Sequence, residues 1–232
     1  TRYVTANLDF VRGGTGDYVD YLTSLGDVLL VQEAKTTVLD EVLPAGWVSL
    51  QHTNGEGRMG SAIAVRDSVR VLEHGLVLGC KPFIRGRRVK MLTRWLAWAD
   101  LEQGGTRWRV VACHAPPARF SLLRPVFLFN LRKLVGATSL AVVVGADANM
   151  PIARFARRVG CVGDGDGIIG LAVTSPSVVT GLDVDEHGMH RNWTDHPAVV
   201  ADVAPLRLNR RQTGRYIGRL RKRLTKAGRP LP

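Results

Sequence analysis

The chain has 232 residues, 45% of them apolar, and its 32 Lys and Arg residues against 20 Asp and Glu residues give a formal net charge of +12. This apolar content suffices to bury a core, which excludes a disordered polycation, and the absence of a run of about 18 apolar residues excludes a transmembrane helix. No signal-peptide pattern opens the sequence and its three cysteines are widely spaced, so we expect a cytoplasmic, reducing location.

The positive charge is concentrated in the last part of the sequence. Residues 206–232 hold ten Lys and Arg and no acid, whereas residues 1–205 hold 22 Lys and Arg against 20 Asp and Glu. In the basic segment, Ile217, Leu220 and Leu224 are spaced to share one face of a helix. We therefore expect a nearly neutral folded domain over 1–205 and a basic tail over 206–232, either helical or a solvated arm, that binds polyanions.

Strand-like runs recur along residues 1–205, with helix-like runs between some of them. The predicted strands are Tyr3–Leu8, Val28–Gln32, Trp47–His52, Ser61–Val65, Val69–Val77, Val89–Leu101, Trp108–Cys113, Ala141–Gly145, Gly167–Thr174 and Ala198–Val203. The predicted helices are Asp17–Leu25, Pro151–Val159 and Phe120–Val135, the last with Leu122, Val126, Phe129 and Lys133 on one face. Because strands outnumber helices, this pattern favours an α/β sandwich of antiparallel sheets with a few covering helices.

Five short polar clusters each follow or end an apolar strand. They are Asn7-Leu8-Asp9, Gln32-Glu33-Ala34-Lys35, His114-Ala115-Pro116-Pro117, Gly145-Ala146-Asp147-Ala148-Asn149 and Thr194-Asp195-His196-Pro197. Strand ends are where a sheet presents side chains to a common cleft. The clusters contain carboxylates, carboxamides and imidazoles but no candidate Cys or Ser nucleophile, which suits a hard cation and an anionic substrate.

The order and spacing of these clusters resemble the endonuclease/exonuclease/phosphatase superfamily. This family includes DNase I, the exonuclease-III-type repair endonucleases, and several phosphoinositide and sphingolipid phosphodiesterases. The strongest motifs are those at 31–35, 144–149 and 194–199, and the resemblance extends from Tyr3 to about Val203. It implies a catalytic domain over 1–205 with an α/β fold, a four-layer sandwich around two central, mostly antiparallel sheets, and a site at one edge.

The resemblance also implies a metal site for Mg²⁺ or Mn²⁺. Glu33 is expected as the principal ligand, with the Asn7 carboxamide beside it in contact with the metal or with the scissile phosphate. Asp9 matches the repair-nuclease version of that strand end and is expected to complete the metal shell. Asp195 is expected to bind a second metal or to support the site.

Catalytic roles follow from the same resemblance. Asp147 is expected to position or deprotonate the attacking water, and Asn149 to bond a phosphate oxygen and orient the surroundings of Asp147. His196 is expected to donate to the phosphate as negative charge develops. His114 occupies the position where DNase I-like members have a candidate general acid for the leaving oxygen.

Three further residues are predicted to bind substrate. Lys35 follows the Glu33 motif, Arg154 lies on the predicted helix after Asn149, and Trp193 is placed to stack on a base or sugar near the cleft. These cations and the basic tail favour a nucleic-acid backbone, and in particular DNA, over a small neutral partner. No sequence feature indicates a protein partner or a hairpin that inserts into a membrane.

The sequence departs from the family pattern where many members carry an Asp that orients the catalytic His. We match that stretch to 167–171, which puts Gly170 at the position of the Asp and leaves Asp164, Asp166 and Asp183 as candidate replacements. Two polar runs nearby, Gly163–Gly167 and Asp185–His190, are interpreted as loops.

The leading interpretation is a metal-dependent phosphodiesterase, an endonuclease that cleaves the DNA backbone with low sequence specificity. One alternative is a phosphoinositide or phospholipid phosphodiesterase or phosphatase of the same fold. The other is a catalytically impaired, nucleic-acid-binding relative, for which Gly170 is the main support.

Removal of residues 206–232 tests whether the basic tail contributes to DNA affinity or to the cleavage step. Loss of ten cations should weaken DNA binding and flatten its salt dependence, since phosphate neutralisation sets the slope of log K against log salt. The rate at saturating substrate should be unchanged. DNA binding and single-turnover cleavage measured from 50 to 200 mM salt check this, and a lost saturating rate would put the tail in the active site.

Overall fold

A computed structural model of the chain describes residues 1–9, 15–34, 36–50, 60–85, 88–91, 93–174 and 177–205. Lys35 and the basic tail, 206–232, lie outside the described residues, so the predictions made for them stay predictions.

The described residues form fourteen strands and five α-helices. The strands are β1 (Arg2–Asn7), β2 (Val28–Ala34), β3 (Trp47–Ser49), β4 (Gly60–Arg66), β5 (Arg70–Cys80), β6 (Phe83–Arg85), β7 (Arg88–Met91), β8 (Arg94–Gln103), β9 (Thr106–His114), β10 (Ala141–Asp147), β11 (Val162–Asp166), β12 (Ile169–Val173), β13 (Ser177–Asp185) and β14 (Ala198–Pro205). The helices are α1 (Thr15–Leu25), α2 (Thr36–Val42), α3 (Arg124–Gly136), α4 (Ile152–Val159) and α5 (His187–His190), and a 3₁₀ segment covers Ala118–Leu123.

Two six-stranded sheets form the centre of the fold. Their strand orders are β13-β14-β1-β2-β4-β3 and β11-β12-β10-β9-β8-β5, and a separate two-stranded hairpin joins β6 to β7. The central pair of each sheet is parallel, β1 with β2 and β9 with β10, and all other neighbours are antiparallel. The predicted mostly antiparallel sheets are therefore confirmed.

The apolar core consists of three layers, which alternate with the sheets and helices. One layer lies between the sheets, where Leu30 and Ile63 of the first sheet meet Val110 and Val143 of the second. A second packs α1 and α2 on the outer face of the first sheet, and a third packs α3 and α4 on the outer face of the second. This α/β/β/α order is the predicted four-layer sandwich.

The two sheets approach most tightly where β10 faces β1 and β2. A Cβ atom on Gly145 would lie 2.5 Å from Leu30 Cβ and 2.9 Å from Thr5 Oγ1, so only glycine fits there without moving a sheet. Central parallel strands are covered on both faces, and small residues at a crossing allow close contact. The position of Gly145, two residues before Asp147, sets the distance between the sheets next to the polar strand ends.

Several predicted boundaries were wrong, for identifiable reasons. The predicted strand Val89–Leu101 is two strands, β7 and β8, in different sheets. The predicted loop Gly163–Gly167 lies mostly in β11, where glycines allow strand pairing against β12 at close range. The predicted loop Asp185–His190 begins at the end of β13 and contains α5.

The predicted helix Phe120–Val135 is a 3₁₀ segment followed by α3, which begins at Arg124 with Pro125 in its first turn. The apolar face identified from the sequence points outward, since Leu122, Val126 and Phe129 are 90%, 52% and 67% exposed. Phe127, Leu131 and Leu134 form the buried face instead. The periodicity is the same for both faces, so the sequence could not distinguish them.

The match of Gly170 to the family Asp was also wrong. Gly170 lies in β12, and a different strand, β13, precedes and pairs with the last strand β14. A Cβ atom on Gly170 would lie 2.6 Å from the Asp164 carbonyl oxygen and 2.8 Å from Ile152 Cγ1. Gly170 is therefore a close-packing glycine between strands, and the strand that precedes β14 carries Asp183, one of the candidate replacements.

Within the described part of the chain, no helix is long and apolar enough to cross a membrane. The three cysteines, Cys80, Cys113 and Cys161, are unpaired and buried.

Gly145→Ala should lower the free energy of unfolding by about 1–3 kcal/mol, because the added methyl group overpacks the contact between the sheets. Gly136→Ala is the matched control: it lies in α3 with no atom near its Cβ position, so it should leave stability unchanged or raise it slightly. Urea unfolding monitored by circular dichroism compares the two variants, and equal stabilities would contradict the close contact at Gly145.

Candidate active site

The carboxyl ends of the two parallel strand pairs meet at one edge of the sandwich. Asn7 is in register with Gln32 on β1 and β2, and Asp147 with His114 on β10 and β9. The ladders continue one step further, since Leu8 N donates to Gln32 O at 2.9 Å and Ala115 N donates to Asp147 O at 2.8 Å. The edge where parallel strands end is a favoured place for ligand sites, and four of the five predicted clusters start there.

A hydrogen bond joins the two sheets at this edge. The Asn7 carboxamide donates from Nδ2 to Asp147 Oδ2 at 3.2 Å, and both side chains are buried. Asn7 Oδ1 accepts the backbone N–H of Asp9 at 2.9 Å, which fixes the orientation of the amide. The Asn7 oxygen therefore accepts a hydrogen bond from its own loop, and the nitrogen donates toward the carboxylates of the site.

The Asp147 carboxylate is the centre of the contact network. Its Oδ1 accepts the backbone N–H of Asn149 at 3.1 Å, and its Oδ2 lies 3.4 Å from His114 Nε2. Burial raises the pKa of Asp147, while the charge of His196 and the hydrogen bonds from Asn149 and Asn7 counteract the rise. A carboxylate with a raised pKa is a stronger proton acceptor than an ordinary Asp.

Glu33 stands at the end of β2, facing the same space. Burial raises its pKa, a hydrogen bond from Asn7 opposes the rise, and the nearby charges of Asp9 and Asp147 add to it. Its Oε1 lies 3.7 Å from His114 Nδ1. Three carboxylates thus share one region, an arrangement that attracts a cation.

His114 is neutral and its tautomer is defined. Arg94 Nη1 lies 3.1 Å from His114 Nδ1, and because a guanidinium only donates, Nδ1 accepts and Nε2 carries the hydrogen. Burial lowers the pKa of His114 well below its usual range, and the charges of Arg94 and His196 lower it further. With its hydrogen on Nε2, the imidazole can donate a hydrogen bond, and the role of His114 as a general acid stays a prediction.

Arg94 is a site residue that the sequence did not reveal. It begins β8, and burial lowers its pKa while the carboxylates of Glu33 and Asp147 raise it. Its guanidinium is therefore a positive charge close to the carboxylates of Glu33 and Asp147. The one signal available in the sequence was the start of a strand at Arg94. We predicted a continuous strand over Val89–Leu101, so that signal was missed.

The backbone at this edge is strained. Among the described residues, four non-glycine residues have positive φ, and three of them are Asp9 (36°), Glu33 (53°) and Asn149 (48°). Such left-handed conformations cost about 1–3 kcal/mol each and cluster at functional sites. The three lie directly at the carboxyl ends of β1, β2 and β10, where they turn the chain so that the side chains share one space.

The loop before β14 is tied to the same edge. Thr194 Oγ1 donates to Asn7 O at 2.9 Å and accepts the backbone N–H of His196 at 3.2 Å. His196 Nε2 lies 3.3 Å from Asp195 Oδ1. The predicted residues Asp195 and His196 therefore join the site through a residue, Thr194, to which the sequence assigned no role.

Asn149 and Arg124 connect two of the loops. Asn149 Nδ2 donates to Ala115 O at 2.9 Å, and Arg124 donates from Nη2 to Asn149 O at 2.6 Å and from Nε to Pro116 O at 2.8 Å. Asn149 thus has contacts suited to orienting Asp147, and its predicted phosphate contact stays a prediction. Arg124, for which we predicted no site role, holds both loops.

The predicted substrate-binding residues differ in their surroundings. Arg154 is exposed on α4, near enough to Arg124 that its charge, after the effect of burial, lowers the pKa of Arg124. Trp193 is half-buried and packs against Tyr18, Tyr21 and His187, with ring centroids 5.6–6.4 Å away. The structure gives Trp193 a packing role beside α1, and its stacking on a base stays a prediction.

The donor set at the edge fits a hard divalent cation. Its side chains offer carboxylate, carboxamide and imidazole groups, and the half-buried Glu33 has a pKa raised by burial and further by the charges of Asp9 and Asp147. Among the described residues, no group of three or more His, Cys, Asp or Glu side chains already forms a metal cluster. The edge therefore provides ligands that a cation would draw together.

No protein-family model matches the sequence, and no curated protein is a significant match. Solved structures of similar fold do exist, at low sequence identity. An endonuclease/exonuclease/phosphatase from Bacteroides vulgatus is 15% identical, with a TM-score of 0.70 over 88% of this chain and 98% of that one.

Two further similar structures bear names that describe a ligand or an activity. TDP2 from D. rerio, complexed with a single-strand DNA product, has a TM-score of 0.65 at 15% identity, covering 88% of this chain and 98% of its own. A mannosyl-6-phosphatase from Bacteroides thetaiotaomicron has a TM-score of 0.63 at 15% identity, covering 88% and 99%.

Glu33→Gln should stabilise the protein at pH 7 in EDTA, because the raised pKa of Glu33 means that its charged form opposes folding. The advantage should shrink as the pH falls through that pKa, since the wild-type carboxyl then becomes neutral. Saturating Mg²⁺ should make the wild type the more stable of the two proteins. At about a hundredfold excess over the Kd, binding adds about 2.7 kcal/mol to the free energy of unfolding of the wild type only.

Glu41→Gln on α2 removes an exposed carboxylate and serves as the control, with an expected change within about 0.5 kcal/mol. Denaturant unfolding at pH 5 and 7, with and without Mg²⁺, measures all three proteins. Equal stabilisation of wild type and Glu33→Gln by Mg²⁺ would exclude Glu33 as a metal ligand.

Proposed function

We propose that this chain, which has the fold of the endonuclease/exonuclease/phosphatase superfamily, is a divalent-metal-dependent phosphodiester hydrolase that cleaves the DNA backbone as an endonuclease of low sequence specificity. The observation that supports this most strongly is the Asn7–Asp147 hydrogen bond at 3.2 Å. It brings Glu33 at the end of one sheet to Asp147 and His114 at the end of the other. That juxtaposition supplies ligands, a proton acceptor and donors around one space.

Glu33 and Asn7 are the proposed ligands of Mg²⁺ or Mn²⁺, with Asp9 and Asp195 as further ligands. The bound cation supplies Lewis acidity and neutralises charge on a phosphate oxygen. The Asn7 carboxamide oxygen accepts the Asp9 N–H with one lone pair and has a second, so it can bind the cation while Nδ2 continues to donate to Asp147.

Asp147 is the proposed proton acceptor for the attacking water. Burial raises its pKa, and the Asn149 N–H and Asn7 Nδ2 hold the carboxylate in one orientation. A positioned base whose pKa is shifted toward neutral accepts a proton more readily in the transition state.

Donors surround the same space and oppose the charge that develops on the phosphate. His196, beside Asp195, is one proposed donor, and His114 is the proposed donor or general acid through Nε2. Donors that are fixed before the reaction stabilise transition-state charge at no cost in reorganisation. Asn149 contributes by holding Asp147 in place and, in this proposal, by a hydrogen bond to a phosphate oxygen.

DNA is the proposed substrate for two reasons. One neighbour of similar fold, TDP2 from D. rerio, is described with a single-strand DNA product. Cations of this chain, Arg124 and exposed Arg154, border the site, and the basic tail adds ten more. A polyanionic backbone is the ligand that such a distribution of charge favours.

A phosphate ester of a small molecule is the second candidate, because another neighbour of similar fold is a mannosyl-6-phosphatase. The phosphoinositide or phospholipid hydrolase belongs to the same alternative. The catalytically impaired relative loses its main support, since Gly170 occupies a packing position between β11 and β12 rather than the place of a missing carboxylate.

Asp147→Ala and His196→Ala should each lower the rate of plasmid nicking in Mg²⁺ by about 10²–10³, the effect of removing a positioned donor or base. Nicking by the wild type should stop in EDTA. Asp40→Ala, an exposed carboxylate on α2, is the control and should retain the full rate.

Full nicking by the Asp147 variant would refute the site assignment. Absence of nicking by wild type, together with hydrolysis of a phosphoinositide or a sugar phosphate that depends on Asp147, would favour the second candidate.

A further inference from the structure

A pocket formed by the β6–β7 hairpin and the 3₁₀ segment lies outside the set of candidate active-site residues. It has a volume of about 620 Å³ and is lined by Phe83 and Arg85 of the β6–β7 hairpin and by Arg119 and Phe120 of the 3₁₀ segment. Volumes of this order are typical of small-molecule and cofactor sites. The lining is two aromatic rings and two guanidinium groups from two separate elements.

The aromatic part is an accessible pair of rings. Phe83 and Phe120 lie with their centroids 5.3 Å apart and their planes at 45°, and Phe83 is 38% exposed. The adjacent Ile84 is 56% exposed. Large apolar side chains are exposed at a cost, so a group of them around a pocket indicates a surface that another flat or apolar group covers.

Both charged side chains that line the pocket are positive. Arg85 and Arg119 are both exposed, and within the described part of the chain neither forms an ion pair with a carboxylate. Arg119 instead lies over the Phe120 ring, with Cζ 5.2 Å from its centroid. Guanidinium groups without carboxylate partners beside aromatic rings fit a ligand that is both aromatic and anionic.

The pocket adjoins the proposed active site. Arg119 and Phe120 follow His114 by five and six residues. Burial lowers the pKa of Arg94, the partner of His114, and the charge of Arg119 lowers it further, so the two guanidiniums are near one another.

We propose that this pocket is a nucleotide subsite, in which Phe83 and Phe120 hold an unpaired base of a single-stranded DNA segment while Arg85 and Arg119 bind a phosphate next to the scissile one. The inference rests on the proposed function, since it assigns a neighbouring subsite for the same substrate. An unpaired base offers an aromatic face of the required kind, and every nucleotide adds an anionic phosphate.

Other ligands fit the lining less well. A neutral sugar would leave the charges of both guanidinium groups without an anionic partner. A lipid chain needs an apolar groove without cations at its walls. A base in a duplex is stacked on its neighbours and presents no free face, so the subsite selects single-stranded segments or frayed ends.

Binding measurements in EDTA test the subsite without requiring turnover. The full chain is titrated with single-stranded deoxyoligonucleotides of one length that carry a single abasic site at successive positions. At one position the abasic site should weaken binding to wild type by roughly tenfold, the effect of losing one stacked base. In Phe83→Ala that abasic penalty should shrink, because one of the two stacking rings is gone, and it should disappear when Phe120→Ala is added.

Two matched controls separate this from general effects on the surface. Phe129→Ala removes a ring that is 67% exposed on α3 and does not line the pocket, so it should keep the abasic penalty. Arg119→Gln should reduce the slope of log K against log salt by about 0.7, the contribution of one phosphate contact on a single strand. Arg132→Gln, an exposed cation on α3, should leave the slope unchanged.

Circular dichroism establishes that each variant is folded, and Phe83→Leu, which keeps apolar bulk but not the ring, replaces Phe83→Ala if the latter unfolds. An abasic penalty that is the same in wild type and in the folded Phe83 variant overturns the subsite, even if the chain cleaves DNA. A penalty that depends on Phe83 in a chain without Mg²⁺-dependent cleavage supports the subsite and refutes the proposed function alone.

Discussion

The arrangement of the candidate active site depends on one constraint, the contact between the parallel centres of the two sheets. The Asn7–Asp147 hydrogen bond spans that contact, and Gly145 permits it, since a Cβ atom there would lie 2.5 Å from Leu30. Parallel pairs put the carboxyl ends of both strands at the same edge, so the side chains that follow them emerge together. Without the close approach, Glu33 and Asp147 would belong to separate surfaces.

The same edge contains several groups that lower the stability of the protein, and the rest of the fold offsets them. Burial raises the pKa of both Glu33 and Asp147, so each resists ionisation. The positive charge of Arg94 lowers both pKa values but does not cancel the effect of burial. Three residues there, Asp9, Glu33 and Asn149, also have strained backbones. Three layers of apolar core flank the two sheets and supply the stability that holds these groups in place. Groups that are held in one orientation and attract a cation lower the stability of the fold locally, and the rest of the fold must compensate.

The polar clusters and the fold could be predicted because both depend on local sequence. Strand ends followed by Asn, Glu, His and Asp are visible as apolar runs that stop at a polar residue, and the strand count indicates the sandwich. Arg94 and Arg124 could not be found this way, since each acts through a contact with a residue distant in sequence, His114 for one and Asn149 for the other. The exposed face of α3 and the role of Gly170 depend on which neighbour packs against them, which periodicity does not encode.

The central claim is that this edge is a divalent-metal site, and anomalous diffraction from crystals soaked in Mn²⁺ tests it most directly. The account predicts a single dominant peak beside the Glu33 carboxylate, between the carboxyl ends of β2 and β10, and loss of that peak in crystals of Glu33→Gln. A Mn²⁺ peak bound elsewhere, with none at this edge, would contradict it.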